Sequence, residues 1–154
     1  MVESSRGDTT HPPLDDIDRV LIQELVADGR ATLATLAERS GLSISAVQSR
    51  VRRLEARKVI GGYTAKIDPG ALGQSLSAFV AITPLDPSQP DDAPARLRNI
   101  PAIEACHSVA GDESYVLLVR VSSPLELEHL LQEIRATANV HTRSTIILQT
   151  FYEK

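Results

Sequence analysis

Cysteine and aromatic residues are scarce in this sequence of 154 residues. Cys106 is its one cysteine, so an internal disulfide is excluded, and the chain fits a reducing compartment. Aromatic residues make up 3% of the chain and hydrophobic residues 42%, so any core consists mainly of leucine, isoleucine, valine and alanine. The length permits one ordinary domain or two small ones, and small domains gain from oligomerisation because they bury little surface alone.

Long hydrophobic runs are also absent. No run approaches the ~20 residues that cross a membrane, and the first residues are too polar for a secretory signal peptide. The sequence therefore predicts a soluble cytoplasmic protein with no membrane partner.

The sequence lacks the usual patterns of catalytic and metal-binding sites. His11, His107, His129 and His141 show no ligand spacing with each other or with Cys106. Cys106 and His107 are adjacent on a predicted strand and would point to opposite faces, which argues against a nucleophile and base pair. No glycine-rich phosphate loop or nucleophile elbow is present. We therefore predict a protein that is not an enzyme and has no metal and no cofactor.

Basic charge is concentrated in one segment, residues 42–58. The whole chain carries a formal charge of −4, whereas this segment holds five basic residues and one acidic residue. Its apolar residues recur at steps of three and four, and they are Ile44, Val47, Val51 and Leu54. This spacing predicts an amphipathic helix, and Ser43 is suited to cap its N-terminus.

The opposite side of this helix suits the major groove of DNA. Short side chains near its start let the backbone approach the bases, and the arginines can reach phosphate or guanine. The candidate DNA-binding residues are Ser43, Ser45, Ala46, Gln48, Ser49, Arg50, Arg52 and Arg53. Taken alone, the same pattern is also typical of an ordinary surface helix with a solvated charged face.

The residues before this segment favour a helix-turn-helix. Thr32 can cap a short helix over residues 33–40, and Gly41 ends that helix where a left-handed residue is required. A tight turn then leads into the basic helix, which is the layout of the motif. A preceding helix, capped by Asp15 or Asp16, would form the floor on which the other two pack.

The second half of the chain has a different periodicity. Apolar and polar residues alternate in segments that are rich in β-formers, and two segments with helical spacing lie between them. The predicted elements are strand 77–85, helix 93–99, strands 103–109 and 114–122, helix 125–138 and strand 142–152. The order β-α-β-β-α-β is that of a ferredoxin-like sandwich, which has helices on one face of its antiparallel sheet. The open face must meet something, and a second subunit is the simplest candidate.

The predicted fold class is therefore α+β, with an N-terminal three-helix winged helix-turn-helix and a C-terminal ferredoxin-like βαββαβ sandwich. Residues 1–13 have little to bury and are predicted to be a disordered arm. The helix-turn-helix domain covers residues 14–62. A linker over residues 63–76 begins with a strand and continues as a hinge that is rich in proline and glycine. Residues 77–154 form the ferredoxin-like domain.

The turn through residues 110–115 could bind a small molecule. Gly111 permits a sharp turn that exposes backbone amides, and Asp112 places a carboxylate beside them. An amino acid needs both groups, because its carboxylate requires donors and its ammonium requires an acceptor. A bare β-hairpin with a polar tip is the alternative explanation of the same residues.

Linked motifs follow one another over nearly all of the chain after residue 14. They are Asp16-Ile17-Asp18, Asp28-Gly29-Arg30, Leu36-Ala37, Gly41-Leu42-Ser43, Arg50-Val51-Arg52-Arg53-Leu54-Glu55, Ile60-Gly61-Gly62-Tyr63 and Ser108-Val109-Ala110-Gly111-Asp112. In this order the motifs resemble the Lrp/AsnC family, the feast/famine transcriptional regulators of bacteria and archaea.

The resemblance implies an amino-acid pocket between dimers, formed by the turn and by hydroxyls of the last strand. The corresponding effector-binding residues are Gly111, Asp112, Glu113, Thr142, Ser144 and Thr145. Glu113 stands where other members vary, so the preferred amino acid is left open. The resemblance also implies homodimers that assemble into octamers and wrap double-stranded DNA.

We therefore predict a sequence-specific DNA-binding transcriptional regulator whose activity or assembly responds to a small effector, and the resemblance implies that the effector is an amino acid. Two alternatives stay open from the sequence. One is an enzyme or regulatory subunit of amino-acid metabolism, which the missing catalytic cluster argues against. The other is a DNA-architectural protein that ignores ligands, whose DNA binding would be indifferent to any amino acid.

Overall fold

The computed structural model describes residues 13–88 and 91–152 of the chain, so the predicted arm lies outside the described residues except for Pro13. In chain order the elements are α1 (Asp16–Ala27), α2 (Leu33–Ser40), α3 (Ile44–Ala56), a 3₁₀ helix (Pro69–Leu72), β1 (Leu76–Pro84), α4 (Ala93–Leu97), β2 (Ile103–Ser108), β3 (Tyr115–Val121), α5 (Pro124–Ala138) and β4 (Val140–Ile147). The chain forms two compact units, residues 1–66 and 67–154. Their boundary falls inside the segment that we predicted as a linker.

The first unit contains the three predicted helices, and their caps follow the sequence. Asp15 caps α1, because its side chain accepts a hydrogen bond of 2.7 Å from the backbone N–H of Asp18. Thr32 and Ser43 cap α2 and α3 in the same way. Gly41 ends α2 with a left-handed φ of 70°. The helix-turn-helix layout is therefore confirmed.

Two details of the first unit differ from the prediction. Ile44, which we placed on the buried side of α3, is exposed, whereas Val47, Val51 and Leu54 are buried. Ile44 opens the helix, one turn beyond the side chains that pack on the core. The strand predicted at the start of the 63–76 linker is also wrong, because the residues between α3 and the 3₁₀ helix form no strand. The described part of this unit offers no second strand for it to pair with.

The second unit is an antiparallel sheet in the order β2-β3-β1-β4. Its central strand β1 pairs with β3 on one side and β4 on the other. Side chains of alternate β1 residues, such as Val80, pack with α4 and α5 in one core. The members of this core include Ala78, Val80, Ile82, Leu97, Leu117, Val119, Leu127, Leu130 and Ile134. The ferredoxin-like prediction is therefore confirmed.

The last strand is shorter than predicted. We expected it to continue to residue 152, but β4 ends at Ile147, and Leu148, Phe151 and Tyr152 are largely exposed. The register explains this difference, because Ile147 lies opposite Ser77, the second residue of β1. Beyond that point the neighbouring strand has almost no backbone groups left to pair with.

The second face of the sheet carries no helix from the described residues. Phe79 and Ala81 point to this face, since they alternate with the buried Ala78, Val80 and Ile82. Leu118 lies opposite Phe79 and therefore belongs to the same face. We call this surface the open sheet face. Separately, none of the helices in the described ranges is long and apolar enough to cross a membrane.

The placement of the core predicts different effects for two leucines of α5. Leu130 is 5% exposed and Leu125 is 65% exposed. We expect Leu130→Ala to lower the free energy of unfolding by about 2–5 kcal/mol, because truncation leaves a cavity. Leu125→Ala should change it by less than about 0.5 kcal/mol. Urea unfolding of the full chain, followed by far-UV circular dichroism, measures both, and equal losses would contradict this placement.

Candidate functional site

The polar side of α3 faces solvent, as expected for a helix that enters a groove. Ser45, Ser49, Arg52 and Arg53 are all exposed. Ser49 follows Ser45 by four residues, and Arg52 and Arg53 follow Ser49 by three and four. This spacing places them on one face opposite the buried Val47, Val51 and Leu54. Small hydroxyl side chains therefore occupy the first two turns and guanidinium groups the third.

Four other predicted DNA-binding residues have different surroundings. Ala46, Gln48 and Arg50 are half-buried along the edges of this face. Ser43 is exposed, but its Oγ accepts a hydrogen bond of 3.3 Å from the backbone N–H of Ala46 and lies 3.2 Å from Ser45 Oγ. The Ser43 hydroxyl therefore serves as the helix cap.

Arg50 is bound by two carboxylates of α1 and its cap. Its Nη1 donates to Asp15 Oδ2 at 2.6 Å and to Asp18 Oδ1 at 2.8 Å. The hydrogen bond from Arg50 holds the pKa of the Asp15 carboxyl below its usual value, and the same contacts raise the pKa of Arg50. The side chain of Arg50 is only 24% exposed, so its guanidinium is engaged in ion pairs within the protein.

Arg53 contacts the same buried carboxylate but stays accessible. Its Nη2 donates to Asp18 Oδ1 at 3.1 Å and Oδ2 at 3.0 Å. The Arg53 side chain is 50% exposed, whereas Asp18 is 2% exposed. Sequence reasoning missed this cluster, although Asp18 lies three and seven residues before Leu21 and Leu25 on the apolar stripe of α1. An acid on such a stripe is a signal of a buried ion pair.

A pocket at one end of the open sheet face contains part of the predicted effector site. It measures about 240 Å³ and is lined by Ala81, Thr83, Asp112, Glu113, His141, Thr142 and Arg143. We call it the β1–β4 pocket. The turn before β3 brings Asp112 and Glu113 to the pocket, and β4 brings Thr142. The Thr142 Oγ1 also accepts a hydrogen bond of 3.0 Å from Arg135 Nη1 of α5.

Arg143 is the residue of this pocket that sequence reasoning missed. Its guanidinium forms an ion pair with Glu113, although its side chain is 76% exposed. Arg143 lies opposite Ala81 of β1, which places it on the open sheet face. The alternation along β4 could have revealed this, because Arg143 and Thr145 share a face while Thr142 and Ser144 share the other.

Three predicted effector residues do not line the β1–β4 pocket. Ser144 lies opposite the buried Val80, on the helix side of the sheet, and Thr145 lies one pair further along, opposite Phe79. Gly111 is exposed in the turn, its φ lies outside the left-handed region, and an added Cβ would meet no atom within 4 Å. Gly111 thus permits this turn, but the backbone conformation at this position does not itself require glycine.

A larger concavity of about 560 Å³ lies on the same face of the second unit. Its apolar floor is formed by Phe79, Leu118 and Ile147, and Arg120 lies at its rim. Arg120 is held by Glu104 through a hydrogen bond of 2.8 Å. This wide surface with its apolar floor suits the packing of another protein surface better than the orientation of a small ligand.

The structure offers little to catalysis within the residues that it describes. They contain no group of three or more histidine, cysteine or acidic side chains that could hold a metal ion. Burial raises the pKa of the Cys106 thiol, and the nearby Asp91 adds to this shift. A raised pKa disfavours the thiolate, which is the reactive form of cysteine.

Two family models match the chain and together cover most of it. Residues 14–55 match the AsnC-type helix-turn-helix domain, and residues 77–154 match the Lrp/AsnC ligand binding domain. The chain is 73% identical over 139 residues to the HTH-type transcriptional regulator LrpA of Mycobacterium tuberculosis, and these residues cover 90% of this chain and 93% of LrpA. It is 38% identical over 141 residues to the leucine-responsive regulatory protein of Escherichia coli, covering 88% and 85% of the two chains.

Solved structures agree with these sequence comparisons. The crystal structure of the leucine response regulatory protein LrpA of Mycobacterium tuberculosis matches with a TM-score of 0.84 at 71% identity, covering 91% of this chain and 96% of that one. A feast or famine regulatory protein from M. tuberculosis complexed with L-methionine matches with a TM-score of 0.90 at 72% identity, covering 92% and 96%. The chain therefore belongs to the Lrp/AsnC family of helix-turn-helix transcriptional regulators, which combine a DNA-binding domain with a ligand-binding domain.

Proposed function

We propose that this regulator reads the major groove of double-stranded DNA with the exposed face of α3, and that an amino acid in the β1–β4 pocket controls it. The proposal of DNA binding rests on the row of exposed serines and arginines opposite the buried side of α3. Ser45 and Ser49 allow close approach to the bases, Ala46 and Gln48 border the contact, and Arg52 supplies an unpaired cation. Arg52 has no ion-pair partner within the described residues.

Pairing of two copies would make this contact useful at cellular salt. A helix with a few phosphate contacts gives non-specific dissociation constants of about 10⁻⁴ to 10⁻⁶ M. Two copies of α3 spaced by about 34 Å, or a multiple of it, would read two half-sites and raise the effective concentration of the second. The apolar floor of the open sheet face supports a homodimer, and we propose that dimers assemble further into an octamer.

The charges in the β1–β4 pocket suit a zwitterion. The guanidinium of Arg143 can donate to an α-carboxylate, and Asp112 and Glu113 can accept from an α-ammonium. Entry of the ligand would replace the Glu113–Arg143 ion pair with one contact at each end of the amino acid. The relative that was solved with L-methionine supports an amino acid as the effector class.

The exposure of Arg143 links effector binding to assembly. An ion pair in contact with water contributes about 0–1 kcal/mol, so a single chain would hold an amino acid weakly. A second copy that covers this edge of the open sheet face would exclude water and strengthen the same contacts. We therefore propose that the effector binds at a seam between copies and shifts their assembly.

A role in regulation accounts for the remaining features without catalysis. The named relatives are transcriptional regulators, and we propose that this chain is likewise no enzyme, with the effector as its only small-molecule partner. Because its target is chromosomal DNA, we propose a cytoplasmic location. An architectural protein that ignores ligands would leave the charged pocket without a purpose, and the effector experiment below distinguishes the two.

Arg52 provides the test of the DNA interface. We expect Arg52→Ala to weaken binding to the upstream region of the protein's own gene and to a random duplex by similar factors. The slope of log affinity against log salt should become shallower by about 0.9, since one phosphate contact is lost. Arg98→Ala, which removes the same charge from an exposed position of the second unit, is the matched control. Unchanged binding by Arg52→Ala in fluorescence anisotropy would show that Arg52 does not contact DNA.

The zwitterion proposal is tested with L-methionine and its amide, which lacks the carboxylate. We expect Arg143→Gln to weaken the binding of L-methionine about ten- to hundredfold, because a charge-assisted hydrogen bond of about 1.5–3 kcal/mol is lost. The already weaker binding of the amide should not change. Asp112→Asn should weaken the binding of both ligands and leave DNA binding by the ligand-free protein intact. Equal titration calorimetry curves for Arg143→Gln and the unmodified protein would place the pocket elsewhere.

A further inference from the structure

The buried carboxylate of Asp18 is a charged group that the proposed function does not yet use. Among the residues that the structure describes, it is the one charged side chain that is buried. A buried charge is costly unless it is paired and hydrogen-bonded, and Asp18 meets this condition through α3 alone. Its Oδ1 accepts from Arg50 and Arg53, and its Oδ2 accepts from Arg53.

The two arginines that bind Asp18 are not equivalent. Arg50 directs one nitrogen at both Asp15 and Asp18 and is mostly buried. Arg53 uses only Nη2 toward Asp18, so Nε and Nη1 keep N–H donors free of partners within the described residues. The carboxylate therefore fixes the orientation of a guanidinium whose remaining donors lie at the exposed face of α3.

We propose that Asp18 is a positioning residue for DNA recognition, which presents Arg53 to the groove and keeps Arg50 away from DNA. A free arginine side chain must be ordered when it binds DNA, and this ordering opposes binding. Arg53 is already ordered, because its Nη2 donates two hydrogen bonds to the buried carboxylate of Asp18. Of these two arginines, Arg53 is therefore the one that contacts DNA, and Arg50 anchors α3 to α1.

This inference rests on the proposed placement of α3 against DNA, and it changes the expected effect of removing an acid. Simple electrostatics predicts that Asp18→Asn tightens binding to every duplex, because a negative charge near the phosphates is lost. If Asp18 positions Arg53, its loss should in addition lower the discrimination between the upstream region and a random duplex. The quantity to measure is therefore the ratio of the dissociation constant for a random duplex to that for the upstream region of the protein's own gene. The general charge effect cancels in this ratio.

The experiment is a double-mutant cycle on the full chain with Asp18→Asn and Arg53→Ala. We expect Asp18→Asn to lower the ratio about two- to tenfold, the range that corresponds to ordering one side chain. In the Arg53→Ala background it should have no further effect on the ratio. Asp16→Asn is the matched control, because it removes the same charge from an exposed position of α1 and should leave the ratio unchanged.

A second variant keeps the test valid if Asp18→Asn does not fold, which thermal melting would reveal. Arg53→Lys retains the charge and leaves the Arg50–Asp18 contact intact, but an ammonium cannot bridge both carboxylate oxygens while presenting further fixed donors. It should lower the ratio nearly as far as Arg53→Ala, with the melting temperature close to that of the unmodified protein.

Several results would overturn the inference. A ratio that Asp18→Asn leaves unchanged, or lowers equally with and without Arg53, would show that Asp18 does not act through Arg53. An Arg53→Lys protein with full discrimination would do the same. If Arg52→Ala and Arg53→Ala both leave DNA binding intact, the proposed interface itself fails, which is a different outcome from failure of the positioning role.

Discussion

Within the described residues, helices cover only one side of the four-stranded sheet, and much of this protein follows from that constraint. The core under α4 and α5 buries alternate residues of each strand, so the residues between them must face outward. Here they include Phe79 and Leu118, which water solvates poorly. The same alternation carries Arg143 outward beside Glu113. In the proposed function, apolar association and ligand recognition therefore share one surface, and a ligand bound there would affect how copies pack.

The charge of the DNA-binding helix depends on the residues around it and not only on its own sequence. Residues 42–58 carry five basic residues and one acid, which describes a strongly cationic segment. In the folded unit, Asp15 and Asp18 of the first helix neutralise part of this charge through Arg50 and Arg53. Under the proposed function, the cations that face DNA are thus fewer and are held in fixed positions, which favours discrimination over general affinity for polyanions.

Periodicity and capping chemistry predicted most of the fold, because local side chains determine both. The helix caps at Asp15, Thr32 and Ser43 are examples, since each needs only its own neighbours. The errors arose where the outcome depends on distant residues. Ile44 fits the helical stripe but lies beyond the packed core, and β4 ends where β1 has no more backbone to offer. The ion cluster around Asp18 joins residues 32 and 35 positions apart. The acid on the apolar stripe of α1 signals a buried ion pair, but no local pattern identifies its partners.

The candidate ligand site shows the same limit more sharply. The resemblance supplied a turn and a row of hydroxyls, but Ser144 and Thr145 point to opposite faces of the sheet, and neither lines the β1–β4 pocket. Arg143 joins the site because the pairing of β4 with β1 places it beside the turn that carries Glu113. Under the proposed function, a ligand in this pocket would regulate DNA binding through its different affinity for alternative assemblies. A hundredfold difference in that affinity is worth about 2.7 kcal/mol, which is enough to change which assembly dominates.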